Sequence, residues 1–226
     1  MLLLFLTVSC PTVLYAEDGE IPTVNNEVPA PKPKIKLGDT AEVSIGGEGR
    51  TLGKLRAPLV LMLFTDYECP YCVGFHEKTF PELKTRFIDK GKLRFIVRDL
   101  PLDFHPYAFQ MARAARCGDA QSAFSKVNSV LYLQPFRKMR NEEDAIKQIA
   151  KSASIDGDKF QKCIIGKNFD DDIRANIASA SAINVEGTPT FVLGRISGDK
   201  LSGIVIPGAY PKETFVQLIE DQLRHK

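Results

Sequence analysis

Two cysteines with two residues between them, Cys69-Pro70-Tyr71-Cys72, form the segment of this chain best suited to chemistry. Residues three apart meet across the first turn of a helix, so this pair can close a small disulfide. At a helix start, the unpaired N–H groups and the dipole favour an anion at Cys69. A stabilised thiolate both attacks and leaves well, and thiol–disulfide exchange demands both. Cys72, one turn deeper, is placed to resolve a mixed disulfide. Pro70 is compatible with the first turn, where its missing N–H is not needed. Zinc is the first rival, because a lone CxxC can be half of a structural site. No second CxxC exists, and the histidines are His76, His105 and His225 only, so no metal is expected. A purely structural bond is the second rival, but so small a loop crosslinks little chain.

The neighbouring sequence supplies elements to position the dithiol. After Pro58, the run Leu59–Phe64 is continuously apolar, the pattern of a strand covered on both faces. A helix is expected over Val73–Lys90, kinked at Pro81 and ended by Gly91. Leu93–Arg98 follows as a second strand. Helical patterns then cover Tyr107–Arg116, Ala120–Leu133, Glu142–Ala153, Gly157–Ile165 and Asp170–Ile183, with Asn141 as a cap. Strand character returns at Thr190–Leu193 and Ile204–Pro207, separated by a turn at Gly198–Lys200. Lys212–Arg224 closes as an amphipathic helix. The expected class is α/β, with an all-helical insertion at 105–182 between two halves, 57–104 and 183–226.

The remaining composition narrows the setting. The chain has 226 residues, of which 44 % are hydrophobic and 26 % charged, values of an ordinary globular protein. A net charge of +2 gives no argument for nucleic acid as a partner. Residues 1–16 are apolar, carry no charged side chain and are too short for a membrane span, which fits a signal peptide cleaved after Ala16. A buried strand and a lipid anchor at Cys10 are the alternatives. Residues 17–56 are a Pro/Gly-rich extension, with a short strand near Ala41–Ile45. Of five cysteines, Cys10 then belongs to export, leaving Cys69, Cys72, Cys117 and Cys163, an even number for an oxidising compartment. The glycines at 46, 47 and 49 lack the strand–turn–helix setting of a dinucleotide site.

Phe64-Thr65-Asp66-Tyr67-Glu68-Cys69-Pro70-Tyr71-Cys72 resembles the DsbA-like branch of the thioredoxin fold. The likeness continues through Leu100-Pro101-Leu102, His105 and Ala108–Cys117, and ends at Gly187-Thr188-Pro189-Thr190-Phe191 and the last helix. It spans about 57–224. The resemblance implies a thioredoxin-like fold with an inserted helical domain and no cofactor. It makes Cys69 the exposed nucleophile and Cys72 the buried resolving thiol. Pro189 would be cis and lie against the dithiol, and the Thr188 backbone would bind an extended peptide. Pro70 and Tyr71 would tune the potential. Pro-Tyr departs from the Pro-His of many strong oxidases, which leaves the direction of exchange open.

The smaller candidates each have a plainer alternative. Glu68 is a candidate relay for the Cys72 proton or a solvated charge. Asp66 is a similar candidate or a turn residue. His76 is a candidate cation beside the dithiol or a half-exposed helix residue, and His105 is assigned no chemistry. Cys117 and Cys163 form a structural disulfide in an exported protein, or are two separate buried thiols. Phe104, Tyr107, Phe109 and Met111 line a peptide groove or pack in the core. The expected function is a cell-envelope oxidoreductase that donates the Cys69–Cys72 disulfide to reduced or misfolded exported proteins. It would act as a periplasmic or otherwise exported monomer, reoxidised by a membrane partner. The alternatives are an isomerase or reductase kept reduced by a membrane donor, and a non-catalytic metal-handling exported protein.

Overall fold

The computed structural model describes residues 35–46 and 50–224. The expected signal peptide, Cys10, the first part of the extension, two of the glycines near 46–49 and His225 lie outside the described residues. The continuous apolar run is β3 (Leu59–Thr65), and every residue in it is buried. Side chains alternate across a strand, so Leu59, Leu61 and Leu63 enter one core while Val60, Met62 and Phe64 enter another. A strand buried on both faces belongs in the middle of a sheet, and β3 sits there. It pairs in parallel with β4 (Leu93–Asp99) and antiparallel with β5 (Thr190–Ser197).

The sheet is completed by β6 (Lys200–Pro207), β1 (Thr40–Ser44) and β2 (Thr51–Leu52), in the order β1–β6–β5–β3–β4–β2. Both edge strands come from within 17–56, the segment read as an extension. Their pairing with β6 and β4 is antiparallel. Two-residue β2 offers too little pattern for a sequence reading, and β1 is half-exposed, as an edge strand should be.

The helix after the dithiol starts earlier than its periodicity suggests. α1 spans Pro70–Lys78, with Cys69 as its N-cap. The break falls at Thr79 rather than at Pro81, which stands in the first turn of α2 (Phe80–Leu83) where its missing N–H costs nothing. A π-helical turn, Lys84–Ile88, follows, and Gly91 leaves it at φ +70°. Between β4 and β5, every described regular element is a helix: α3 (Ala108–Asp119), α4 (Phe124–Leu131), α5 (Pro135–Lys138), α6 (Glu142–Ala153), α7 (Gly157–Ile165) and α8 (Asp170–Ala182). Asn141 caps α6, accepting from the Asp144 N–H at 2.8 Å. α3 to α7 share the core of α1 and α2, whereas Ile177 and Ala180 of α8 join the core on the other face. Cys117 of α3 and Cys163 of α7 are bonded at 2.00 Å. α9 (Lys212–Arg224) returns Phe215 and Ile219 to the first core.

A buried ion cluster joins the helical block to the sheet. Asp99, at the end of β4, takes two hydrogen bonds from the Arg50 guanidinium, 2.7 and 2.8 Å. Arg116 of α3 adds a third at 2.7 Å, and Asn176 of α8 a fourth at 3.2 Å. Burial opposes ionisation of Asp99, but Arg50 and Arg116 outweigh it and hold the carboxyl below its usual range. Asp99→Asn leaves Arg50 buried without its counter-charge, so unfolding free energy should fall by about 3–5 kcal/mol. Urea denaturation of the oxidised protein measures it.

Candidate active site

β3 ends at Thr65, and the chain turns through Asp66-Tyr67-Glu68 into α1. Asp66 shapes the turn: Oδ1 accepts the Glu68 N–H at 2.7 Å, and its carbonyl accepts the Cys69 N–H at 3.2 Å. Its Oδ2 faces the 102–105 loop, accepting the Leu102 N–H at 2.9 Å and meeting His105 Nδ1 at 2.7 Å. Asp66 is thus a turn residue, and His105 anchors it. Glu68 is buried rather than solvated, but it faces the helical block. Its Oε1 takes Arg137 Nε at 2.6 Å and its Oε2 the Tyr107 N–H at 2.5 Å. Both carboxylates are held by partners away from the sulfurs.

Cys69 and Cys72 are free thiols, and both are buried, so Cys69, at 4 % exposure, is not the exposed sulfur that the resemblance implies. Opposite them, the Thr188–Pro189 peptide is cis and Pro189 is buried. As a thiol, Cys69 donates to the Thr188 carbonyl across 3.3 Å. The Thr188 hydroxyl is buried and has no hydrogen-bond partner among the described residues.

The two thiols are driven apart in acidity. Hydrogen bonding from the Cys72 thiol, then from the Thr188 hydroxyl and the N–H groups of Cys72 and Tyr71, lowers Cys69 from 9.0 to about 5. These outweigh the opposing effect of burial. Burial, followed by the hydrogen bond and the charge of Cys69, pushes Cys72 well above 9.0. The dithiol therefore carries a thiolate at 69 and a thiol at 72 near neutrality. Free N–H groups at the start of α1 contribute as the spacing implies, but the partner thiol contributes more.

His76 is no cation here. Its ring stacks on Tyr132 at 4.3 Å and Phe80 at 5.3 Å, and burial lowers it to about 4. Among the described residues, no group of three His, Cys, Asp or Glu side chains is arranged to hold a metal ion. The aromatic candidates divide. Met111 is core, and Phe109 is covered by Arg113 and Arg174 at 5.0 and 5.4 Å. Phe104 is 76 % exposed and Tyr107 is 37 % exposed, both on the loop that Asp66 and Glu68 hold. On the other side of Tyr71, itself 69 % exposed, lies a groove of about 580 Å³ lined by Gly74, Lys78, Ala209, Tyr210 and Pro211. The sequence reading missed Tyr210-Pro211, since a β6–α9 connection shows no pattern that ties it to residue 71.

The family model described as thioredoxin matches residues 46–203. The chain belongs to the thioredoxin family. Among solved structures, alpha-DsbA1 of Wolbachia pipientis superposes with a TM-score of 0.68 at 22 % identity, covering 78 % of this chain and 92 % of that one. A putative protein-disulfide oxidoreductase of Rickettsia conorii is 23 % identical over 71 % of this chain and 58 % of its own length. A Na(+)/H(+) antiporter NhaA 3 of Salinispora tropica is 31 % identical over 62 % of this chain, but only 20 % of the antiporter is matched. The chain therefore spans about a fifth of that antiporter relative and less than two thirds of the Rickettsia one. The thioredoxin-like fold with an inserted helical block holds, and so does the DsbA-like resemblance drawn from 64–72 and 187–191.

Thr188→Val should raise the Cys69 pKa above about 5 by roughly one to two units, the worth of one hydrogen bond to a charged group. Ultraviolet thiolate absorbance against pH reads it. A thiolate stabilised only in the folded chain also makes reduced-state stability depend on pH. Its contribution is complete above 9.0 and is lost as pH falls towards about 5. The oxidised chain has no such group. Urea midpoints of the two forms should therefore diverge in favour of the reduced form between those limits.

Proposed function

We propose that this DsbA-like thiol–disulfide oxidoreductase donates the Cys69–Cys72 disulfide to reduced proteins outside the cytoplasm. The observation that carries this reading is Cys69 at the N-cap of α1 beside the cis Thr188–Pro189 turn, its pKa lowered to about 5, next to a Cys72 that stays protonated. A substrate thiolate attacks the Cys69 sulfur; the Cys69–Cys72 bond breaks and its electron pair leaves on Cys72. A second substrate thiolate then attacks the substrate sulfur of the mixed disulfide, and Cys69 leaves as a thiolate. The substrate loses two electrons and the dithiol gains them. Stabilising the Cys69 thiolate stabilises the reduced product, which makes the disulfide an oxidant.

Thr188, Pro189, Pro70 and Tyr71 surround the reacting sulfur and serve as the peptide-binding and tuning residues. Exposed Tyr71, Phe104 and Tyr107 offer apolar contacts to an unfolded chain, whose identity the near-neutral charge leaves unrestricted. The Cys117–Cys163 bond agrees with an oxidising compartment. No described helix is long and apolar enough to cross a membrane. A signal at 1–16 delivers the chain, and a membrane partner returns it to the disulfide form.

Alkylation trapping in the intact cell tests the direction of exchange. Residues 69 and 72 should be found mostly oxidised; a mostly reduced pair supports the isomerase or reductase reading instead. Cys69→Ser should abolish exchange with a reduced unfolded substrate, assayed by recovery of its disulfides, and unchanged activity would refute the proposal.

A further inference from the structure

Resting on that reading, we propose that Glu68 is a positioning residue for the substrate polypeptide: its carboxylate bridges the turn that carries Cys69 and the loop that displays Phe104 and Tyr107, and Arg137 holds it in that bridging pose. Glu68 precedes the nucleophile by one peptide link, and its side chain is 0 % exposed. Oε2 accepts the Tyr107 N–H at 2.5 Å, and Oε1 accepts Arg137 Nε at 2.6 Å. Tyr107 is the N-cap of α3, where a backbone N–H has no carbonyl to reach within its own helix. The Glu68 carboxylate supplies that acceptor. Buried there, it needs a counter-charge, and the Arg137 guanidinium provides one. Arg137 is half-exposed, so the guanidinium lies on the solvent side of the carboxylate.

Three elements therefore meet at one carboxylate. α5, which carries Arg137, is held to the turn a second time, because the Gln134 side-chain N–H donates to the Tyr67 carbonyl. It also touches the loop, where Phe136 stacks on Tyr107 at 6.2 Å. The far end of the loop is pinned from the same turn: Asp66 Oδ2 accepts the Leu102 N–H at 2.9 Å and meets His105 Nδ1 at 2.7 Å. Residues 66 and 68 thus tie the loop at 102, 105 and 107. Between these ties Phe104 is 76 % exposed, its ring edge-on to His105 at 4.4 Å.

A loop tied at three points keeps its rings in a fixed place beside the turn. A polypeptide whose cysteine reacts at residue 69 meets Phe104 and Tyr107 already positioned, so less freedom is lost when the contact forms. The substrates favoured in this way carry apolar side chains close to the reacting cysteine. A small thiol reaches the sulfur without those contacts. A proton relay through Glu68 needs a carboxyl oxygen turned to the sulfurs, but the donors to both oxygens belong to the helical block. The bridge is therefore the role that its bonds define.

The test compares two thiols that open the disulfide of the oxidised full-length protein in stopped flow: a peptide with one cysteine flanked by apolar residues, and dithiothreitol. Glu68→Gln keeps the shape but offers one acceptor to two donors. The ratio of the peptide rate to the dithiothreitol rate should fall about three- to tenfold, the worth of one hydrogen bond, and half-saturation should need more peptide. Arg137→Gln should lower the ratio in the same direction, and Arg137→Lys, which keeps the charge, should return it towards wild type. Phe104→Ala should lower the ratio in the wild-type background and have less effect in Glu68→Gln, because Glu68 acts through the loop. A wild-type ratio in both Glu68→Gln and Arg137→Gln overturns this proposal while leaving the oxidoreductase reading intact; an equal slowing with both thiols gives that same ratio and places the effect at the sulfur. Effects of Glu68→Gln and Phe104→Ala that multiply independently also overturn it. If Glu68→Gln does not fold, Phe104→Ala at its exposed position still decides, since a wild-type ratio there overturns the proposal. An oxidised wild-type protein that reacts with neither thiol overturns the oxidoreductase reading itself.

Discussion

Two thiols one helical turn apart in a buried turn cannot both ionise, because the first anion raises the cost of the second. Which one ionises is settled by geometry. Cys69 is the N-cap of α1, where the Cys72 thiol, the Thr188 hydroxyl and the N–H groups of Cys72 and Tyr71 favour its anion. Cys72 faces inward, where burial and the neighbouring anion keep its proton in place. The cis turn at Thr188–Pro189 closes the outer side and brings a hydroxyl with no competing partner. Remove the asymmetry and the same four residues would form an ordinary crosslink.

The rest of the fold serves this contact. β3 and β5 are adjacent, so the segment entering the dithiol and the one entering the proline turn are held in fixed register, with Phe64 opposite Thr190. The helical block supplies the polar partners for residues that would otherwise disturb the sulfur. Arg137 and the Tyr107 N–H hold the Glu68 carboxyl, one residue before the nucleophile. His105 and the Leu102 N–H hold that of Asp66. Both carboxyl groups are thereby bonded to partners other than the sulfurs. The Asp99 cluster, holding Arg50, Arg116 and Asn176, ties that block to β4 and so keeps those partners in place.

Much of this was legible in the sequence because it rests on local patterns. The apolar run 59–64, the Cys-x-x-Cys spacing, the cap at Asn141 and the helices at 142–153, 157–165 and 212–224 follow from periodicity and turn chemistry. The short strand expected near Ala41–Ile45 is β1, but the edge strand β2 and the helix break at Thr79 left no such sign, because a two-residue strand and a π-helical turn leave no periodic trace. Tertiary commitments were also invisible. Glu68 reads equally well as a relay or as a surface charge until Arg137, far along the chain, is seen beside it. Arg50 lies in a Gly-rich stretch with nothing to announce a buried guanidinium. The hydrogen bond of 2.8 Å between the Thr65 and Tyr132 hydroxyls likewise joins two elements that no motif connects.

The asymmetry of the dithiol is tested most directly by alkylating the reduced wild-type protein over a range of pH and locating the modified cysteine by mass spectrometry. Modification should occur at Cys69, with a rate that follows one ionisation near pH 5, while Cys72 stays unmodified across the neutral range. A midpoint near the ordinary thiol value of 9.0, or equal labelling of the two cysteines, would contradict the account.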